Sequence, residues 1–245
     1  AQREIMTGNI FVDGMRGDKS GTKYKEDAKI EHRGKKMPYV SRGGFKLKKA
    51  VDSFNLDLKG KTCLDIGAST GGFTDVMLKE KAEKVFAVDV GYGQLAWELR
   101  IDEKVKVLER CNFRYITENE IDEKIDFAAT DVSFISLTKI IPKALEFFNE
   151  DSEMVALIKP QFEAGREKVG KRGVVRDKNV HTEVILKILD FVKKLGLYIY
   201  GLDFSPIKGP EGNIEFLVYF GKKDKKINFD INKETDIIVE TSHQM

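Results

Sequence analysis

The chain has 245 residues, with 42 Lys and Arg against 40 Asp and Glu, and 41% of its residues are hydrophobic. This composition is typical of a globular protein with one large core and room for a small second domain. Its apolar runs, such as residues 154–158, fall far short of the roughly 18 residues that a membrane span needs, and no signal-peptide pattern opens the sequence. Cys63 and Cys111 form no CxxC pair, so we expect no disulfide framework, no metal and a cytoplasmic location.

Charge is distributed unevenly along the chain. Residues 1–60 carry 14 Lys and Arg against 8 Asp and Glu, whereas residues 61–245 carry 28 against 32. A basic first quarter beside an acidic remainder indicates contact with a polyanion. A lysine-rich solvated surface is the alternative interpretation.

Residues 1–38 form a segment of their own. We expect a helix end at residues 3–7, a strand at 9–14, a turn rich in Gly and Lys, and a second strand at 28–31. These elements are too few to fold alone. Pro38 ends the segment.

From residue 61 onward, short apolar runs alternate with amphipathic segments. This alternation predicts an α/β fold with a mostly parallel sheet that is covered on both faces. The segment 205–213 is too short for a crossover helix, so the last two strands are expected to be antiparallel. Seven strands with a final antiparallel hairpin are typical of class I, Rossmann-like methyltransferases. The predicted strands are 61–67, 84–90, 105–109, 125–132, 153–159, 197–204 and 214–220, and the predicted helices are 74–81, 94–100, 137–148 and 179–195.

A Gly-rich turn joins the first strand of this sheet to its helix, with the sequence DIGASTGGFT at residues 65–74. Ser69 stands where a dinucleotide-binding fingerprint needs its second glycine. The turn matches instead an S-adenosylmethionine loop, in which Asp65 faces the cationic methionine moiety; an ordinary tight turn is the alternative. The expected cofactor contacts in this loop are Asp65, Gly67, Ala68, Ser69, Gly71, Gly72 and Phe73.

Two further polar residues follow the next strands. Asp89 ends the second strand, 24 residues after Asp65, where an acid can bind both hydroxyls of an adenosine ribose. Asn112, beyond the third strand, falls where the adenine edge would lie. In isolation Asp89 is equally well interpreted as a solvated acid at a strand end.

Asp131 and Lys159 end the fourth and fifth strands, at the sheet edge where open α/β sheets bind their ligands. A lysine that follows three apolar residues into a cleft is unusual. The Asn/Asp-Pro-Pro-aromatic motif of amino-methyltransferases is absent from the sequence DVSF at residues 131–134.

Taken together, these segments resemble the TlyA (hemolysin A) family of FtsJ-like RNA methyltransferases, and the likeness covers almost the whole chain. The residues that carry it are SRGGFKL at 41–47, the loop at 65–74, DVSFIS at 131–136, KPQFE at 159–163 and RGVVRD at 172–177. Such proteins join an S-four-like RNA-binding domain to a methyltransferase domain. The resemblance therefore implies a partial S-four-like α/β module at residues 1–38, a methyltransferase domain at 39–222, and a tail at 223–245 with no assigned role.

The resemblance also implies a catalytic set of Lys46, Asp131, Lys159 and Glu215. A ribose 2′-hydroxyl is a poor nucleophile, so a base must take its proton while the oxygen attacks the sulfonium methyl group. Lys159 is the candidate base. Lys46 favours its neutral form, whereas Asp131 and Glu215 orient the two lysines and oppose that shift. Without the resemblance, Glu215 is interpreted as a paired acid at a strand edge.

Residues 164–178, which we call the basic loop, contain six basic residues against two acidic ones. This loop could bind phosphates beside the active site; a disordered charged segment is the alternative. Trp97 is expected in the core or in an interface. The residues expected to bind RNA are Arg42, Arg166, Lys168, Lys171, Arg172 and Arg176.

These expectations define a cytoplasmic, metal-independent enzyme. It would use S-adenosylmethionine to methylate a ribose 2′-hydroxyl in RNA, and the resemblance implies ribosomal RNA or a ribosomal subunit as substrate, with cytidine as the nucleoside. The alternatives are an RNA-binding or ribosome-assembly protein without turnover, and a membrane-active hemolysin.

Overall fold

A computed structural model of the chain describes residues 5, 8–17, 19–34 and 37–245. It divides into two units, residues 1–38 and 39–245. Among the described residues, none of the helices is both long and apolar enough to cross a membrane.

The first unit contains a small antiparallel sheet with the strand order β2-β1-β3, formed by β1 (Ile10–Val12), β2 (Met15–Arg16) and β3 (Ile30–His32). The strand expected at 9–14 is shorter, because Asp13 and Gly14 both have positive φ and form a two-residue hairpin turn into β2. The helix end expected at 3–7 lies outside the described residues except for residue 5.

The second unit is built on a seven-stranded sheet with the order β6-β5-β4-β7-β8-β10-β9. Strands β6 to β8 are parallel, and β10 is antiparallel to both β8 and β9, which confirms the predicted α/β class and its final antiparallel hairpin. The strands are β4 (Thr62–Ile66), β5 (Lys84–Val88), β6 (Val105–Leu108), β7 (Ile125–Thr130), β8 (Phe148–Ile158), β9 (Tyr198–Phe204) and β10 (Phe216–Gly221).

Helices cover both faces of this sheet. They are α1 (Gly44–Phe54), α2 (Gly72–Lys79), α3 (Trp97–Arg100), α4 (Ile141–Leu145), α5 (Pro160–Glu163), α6 (Lys178–Lys194) and α7 (Ile231–Ser242). Alternate strand residues enter separate cores: Cys63 packs with α1 and α2, whereas Leu64 packs with α4 and α6. Both faces of the parallel strands are therefore apolar, as parallel sheets require.

Two of the predicted helices are wrong in extent. The segment 137–148 contains a 3-10 turn at Leu137–Lys139 and only a short α4, because Pro142 fits the first turn of a new helix and not the interior of a longer one. Strand β8 then begins at Phe148, five residues before the predicted start. The segment 94–100 is helical only at α3, because Ala96 has an extended ψ of 140°.

Three of these helices were missed by the sequence analysis: α1, the four-residue α5 and α7. Helix α1 buries Leu47, Ala50 and Val51, whose spacing of three and four residues is a helical signal. Helix α7 begins after Asp230, whose side chain accepts a hydrogen bond from the amide of Lys233. It packs on α6 and β9, so residues 223–245 include an element of the larger unit.

Of the two expectations for Trp97, a place in the core is wrong, since its side chain is 72% exposed, and a place in an interface stays a prediction. It is the first residue of the short α3, and the buried position of this helix is taken by Leu99. An apolar side chain on so short a helix need not face the core.

A pair of histidines joins α6 to α7. His181 is fully buried; its Nε2 bonds the carbonyl of Val175 at 3.2 Å, and its Nδ1 lies 2.9 Å from Nε2 of His243. The carbonyl can only accept, so Nε2 of His181 carries its proton and Nδ1 accepts from His243. Burial, with a smaller contribution from His243, lowers the pKa of His181 to about 4.

This burial predicts acid sensitivity. Between pH 6.5 and 4 the unfolded chain binds a proton at His181 that the folded chain does not bind, so stability is lost as pH falls through this window. The loss at this residue is about 3 kcal/mol. Denaturant unfolding at pH 7 and pH 4 should therefore show a smaller pH effect in His181→Gln, which does not titrate; an effect equal to that of the wild type would contradict the assignment.

Candidate active site

The Gly-rich loop connects β4 to α2 along the carboxyl edge of the sheet. Gly67 has a φ of 87°, and a Cβ there would lie 3.1 Å from the carbonyl oxygen of Asp131. At Gly72, a Cβ would lie 2.8 Å from the amide of Gly44, so α2 begins in direct contact with the start of α1. These two glycines bring the ends of β4 and β7 and the first turn of α1 together.

Asp65 is buried beneath this loop and is 1% exposed. Its Oδ2 accepts hydrogen bonds from the amide and the hydroxyl of Thr74, at 2.9 and 2.7 Å, whereas its Oδ1 has no partner among residues 39–245. Burial raises the pKa of Asp65 to about 7, against the hydrogen bonds from Thr74. A buried carboxylate oxygen without a partner can accept from, or pair with, a bound cationic group.

Asp89 follows β5 and is half-buried. Its carboxylate accepts from the amide of Ser69 at 2.8 Å and from the amide of Gly91 at 2.6 Å. Asp89 therefore ties the Gly-rich loop to the end of β5. Each carboxylate oxygen keeps a second lone pair, so the group can still accept from ligand hydroxyls.

The four residues of the implied catalytic set form one continuous cluster. Lys46 donates a hydrogen bond to Oδ2 of Asp131 at 2.9 Å, and its Nζ lies 2.7 Å from Oε2 of Glu215. The Nζ of Lys159 lies 2.5 Å from Oδ1 of Asp131 and donates to the hydroxyl of Ser133 at 3.1 Å. Asp131 thus bridges the two lysines, and Glu215 binds Lys46 from the other side.

Four separate chain segments supply this cluster. Asp131 and Lys159 directly follow the adjacent strands β7 and β8. Glu215 precedes β10, whose first residue, Phe216, pairs with Ile158 at the end of β8. Because β10 runs antiparallel, its start lies at the carboxyl edge of the sheet. Lys46 comes from the first turn of α1.

The cluster is buried, with Lys46, Lys159 and Glu215 exposed by less than a tenth. Burial alone would lower the pKa of Lys46, but the charges of Asp131 and Glu215 outweigh it and the pKa is raised. Burial alone would raise the pKa of Asp131, but Lys46 and Lys159 outweigh it and the pKa is lowered. Lys46 and Asp131 are therefore held as an ammonium and a carboxylate.

Two cavities open along this edge and share Gly67, Ser69, Asp131 and Ser133. The first, of about 340 Å³, contains the cluster; of the expected cofactor residues it is lined by Asp65, Gly67, Ala68, Ser69, Gly72 and Phe73. The second, of about 420 Å³, is lined by Asp89 and Asn112 together with apolar residues such as Phe113 and Ile135. We call these the catalytic cavity and the apolar cavity.

The expected residues do not all line these cavities. Gly71 lines neither, because it lies in the turn where a Cβ would collide with Leu99 and Leu95. Asn112 caps a 3-10 turn through the amide of Arg114 while it lines the apolar cavity. The sequence analysis missed several lining residues. Some of them lay inside motifs already noted, namely Ser41, Gly43, Thr70 and Ser133, whereas others had no distinctive signal: Val90, Gly209 and Pro210.

The basic side chains expected to bind RNA lie in two places. Arg42 lines the catalytic cavity and donates to the carbonyl of Lys208. Lys168 forms an ion pair with Glu183 at 2.5 Å, which reduces its availability for a phosphate. The other side chains expected to bind RNA lie in the basic loop and are exposed: Arg166, Lys171, Arg172 and Arg176.

The strand order and a Gly-rich loop, with an acid near the end of β4 and another just after β5, define a class I methyltransferase. Residues 39–222 match the family model of FtsJ-like methyltransferases. The chain is 49% identical over 220 residues to YqxC of Bacillus subtilis, covering 89% of this chain and 78% of that protein. It is 40% identical over 216 residues to the 16S/23S rRNA (cytidine-2′-O)-methyltransferase TlyA of Mycobacterium tuberculosis, covering 88% and 81%.

A solved structure from Streptococcus thermophilus superposes with a TM-score of 0.83 at 43% identity, covering 99% of this chain and 89% of that one. The chain belongs to the FtsJ-like methyltransferase family, in the group that contains TlyA and YqxC.

S-adenosylmethionine is the cofactor of this family, and the residues of the site fit it. The unpartnered oxygen of Asp65 suits a cationic methionine moiety, and Asp89 beside an apolar cavity suits an adenosine. The catalytic cavity adjoins both through the residues that it shares with the apolar cavity.

Asp89→Ala is expected to weaken S-adenosylmethionine binding by about 1–3 kcal/mol, because it removes a charge-assisted acceptor and the tether of the Gly-rich loop. Titration calorimetry would measure the loss. Asp102→Ala is a matched control, since Asp102 also accepts from a backbone amide, that of Lys104, but does not line either cavity. Equal affinities of the two variants would remove Asp89 from the cofactor site.

Proposed function

We propose that this protein methylates a ribose 2′-hydroxyl in ribosomal RNA, with cytidine as the target nucleoside and S-adenosylmethionine as the methyl donor. The observation that carries the proposal is the buried cluster of Lys46, Asp131, Lys159 and Glu215 beside the Gly-rich loop. The 40% identity to an rRNA (cytidine-2′-O)-methyltransferase supports the substrate. A ribosomal substrate, as naked RNA or as a subunit, would place the activity in the cytoplasm.

The chemistry requires one proton transfer. S-adenosylmethionine supplies an electrophilic methyl group. Nζ of Lys159 would accept the proton of the 2′-hydroxyl as that oxygen takes the methyl group from bound S-adenosylmethionine. Asp131, 2.5 Å away, stabilises the ammonium that Lys159 becomes. Lys46 is held between Asp131 and Glu215 and fixes the position of the Asp131 carboxylate.

The geometry of the cluster supports Lys159 as the base. Lys159 lines the catalytic cavity and pairs with one carboxylate, that of Asp131, whereas Lys46 pairs with two, those of Asp131 and Glu215.

Exposed aromatic side chains support a nucleic-acid substrate. Phe134 is 90% exposed, has a φ of 63° and packs 4.9 Å from the ring of Phe162. Tyr92 and Tyr115 are also more than half exposed, and arginine side chains lie over both rings. Phe134 lines the apolar cavity, and exposed rings and arginines suit the stacking of unpaired bases.

Replacing both Lys171 and Arg172 by neutral residues tests whether the basic loop contributes to RNA binding. If both contact duplex phosphates, the slope of log affinity against log salt should flatten by about two units. Filter binding across a salt series would measure it. Neutralising Lys193 and Lys194 at the end of α6 is the charge-matched control; an unchanged slope in the loop variant would leave the loop as a solvated charged segment.

A methyl-transfer assay distinguishes the proposed function from the competing one, RNA binding without turnover. Wild-type protein, labelled S-adenosylmethionine and ribosomal RNA or subunits should yield labelled 2′-O-methylcytidine after digestion to nucleosides. Asp89→Ala should reduce the yield at limiting cofactor. Label in a base, or no label on naked RNA and on both subunits, would contradict the proposal.

A further inference from the structure

Asn213 lies between β9 and β10 and is 3% exposed. Its Oδ1 accepts a hydrogen bond from the amide of Val175 at 3.0 Å, and its Nδ2 donates to the carbonyl of Gly173 at 2.8 Å. Both side-chain atoms are thus bonded to the backbone of the basic loop. The side-chain amide of Asn213 thereby satisfies two backbone groups, the N–H of Val175 and the carbonyl of Gly173, as a neighbouring strand would do in a sheet.

A second buried side chain completes this attachment. His181 donates to the carbonyl of Val175, and the side chains of Val174 and Val175 are themselves buried. The backbone segment 173–175 is therefore anchored by Asn213 on one side and by His181 on the other. We call this arrangement the loop clamp.

The loop clamp determines where the basic side chains stand. Immediately before the anchored segment, Arg172 has a φ of 63°, which turns the chain sharply and leaves Lys171 and Arg172 exposed. Arg176 follows the segment and is also exposed. A loop bound at its centre by buried side chains presents its charges in one arrangement, so little conformational entropy is lost when a polyanion binds.

The same asparagine belongs to the segment that carries Glu215. The backbone carbonyl of Asn213 accepts from the amide of Gly209 at 2.9 Å, and Gly209, Pro210 and Glu215 line the catalytic cavity. Asn213 therefore joins the basic loop to one wall of the catalytic cavity by direct hydrogen bonds.

We propose that Asn213 is a positioning residue that holds the basic loop in its RNA-binding arrangement and in register with the catalytic cavity. This inference rests on the proposed function for its RNA substrate. It assigns no contact between Asn213 and the substrate, because the side chain is buried and both of its polar atoms bond the loop backbone.

Asn149 provides a matched control. It is a partly buried asparagine whose Oδ1 accepts from the amide of Asp151 and whose Nδ2 donates to Asp126, and it lies at the start of β8, the opposite end of the strand from Lys159. Its Oδ1 also accepts from the hydroxyl of Ser152, so Asn149→Ala removes three hydrogen bonds away from the loop, a loss at least as large as that in Asn213→Ala. Any effect that is common to both variants reflects lost stability alone.

The rate of limited trypsin digestion measures how firmly the loop is held, because trypsin cleaves after Lys171, Arg172 and Arg176, which lie on either side of the loop clamp. In Asn213→Ala, cleavage at these sites should accelerate about tenfold and the dissociation constant for ribosomal RNA should rise about tenfold, as expected for a lost buried hydrogen-bond pair. The dissociation constant for S-adenosylmethionine should stay within about twofold of the wild type.

Asn213→Ser keeps an uncharged polar group but cannot bond both Val175 and Gly173, so it should fall between the wild type and Asn213→Ala, and it serves if the alanine variant does not fold. The proposal would be overturned if Asn213→Ala and Asn149→Ala had the same rate of loop cleavage and the same RNA affinity. It would also be overturned if Asn213→Ala lost as much affinity for S-adenosylmethionine as for RNA. Asn213→Ala could show faster loop cleavage and weaker RNA binding while the wild-type protein transfers no methyl group. That result would uphold the loop clamp and refute the proposed function.

Discussion

Lys159→Ala is expected to lower the single-turnover rate of methyl transfer by about 10²–10⁴-fold, the usual cost of removing a positioned general base. S-adenosylmethionine affinity should be nearly unchanged, because Lys159 contacts Asp131 and Ser133 and its proposed partner is the nucleophilic oxygen. Rapid-quench measurements at saturating RNA and cofactor would give the rate without the contribution of product release.

Lys159→Arg separates two roles for this residue. An arginine keeps the positive charge but cannot accept a proton at neutral pH, since its pKa exceeds about 12. The arginine variant should therefore be almost as slow as the alanine variant. An arginine variant that retains more than about a tenth of the wild-type rate would show that Lys159 anchors phosphate or ribose and is not the base.

The second large effect is expected for Asp131→Asn. Asp131 bridges Lys46 and Lys159, so its loss leaves two buried lysines with only the carboxylate of Glu215. Breaking a buried ion pair costs about 3–5 kcal/mol of stability, and loss of the orienting carboxylate should lower the transfer rate by about 10²–10⁴-fold. Denaturant unfolding and rapid-quench kinetics would measure the two effects separately.

Asp203→Asn is the matched control for Asp131→Asn. Asp203 pairs at 3.0 Å with Lys49, one turn further along α1 from Lys46, and it does not line the catalytic cavity. Its transfer rate should stay near that of the wild type. If the two variants lost activity equally, the effect of Asp131 would reflect helix α1 and not the cluster.

Much of the sheet could be predicted from the sequence because buried parallel strands produce continuous apolar runs, and the acids and the lysine that follow them mark the carboxyl edge. Asp131 and Lys159 were placed at this edge because their strands were predicted. Lys46 could not be placed in this way: helix α1 was not predicted, and its contact with the start of α2 depends on a close approach at Gly72 that no local pattern reveals.

The hydrogen-bond partners of individual side chains could not be predicted from the sequence either. Asp89 was expected to face a ribose, but the fold also uses it to bind the amides of Ser69 and Gly91. Asn213 had no recognisable motif, since its role depends on backbone groups 38 and 40 residues earlier in the chain. Such contacts are set by the packing of distant elements, and single-residue propensities carry no information about them.

The most direct test of the central claim is to map 2′-O-methyl groups in the ribosomal RNA of cells that have or lack the gene. We predict that at least one methylated cytidine is lost on deletion, is restored by the wild-type gene and is not restored by Lys159→Ala produced at the same level. Identical methylation maps with and without the gene, or full restoration by Lys159→Ala, would contradict the assignment.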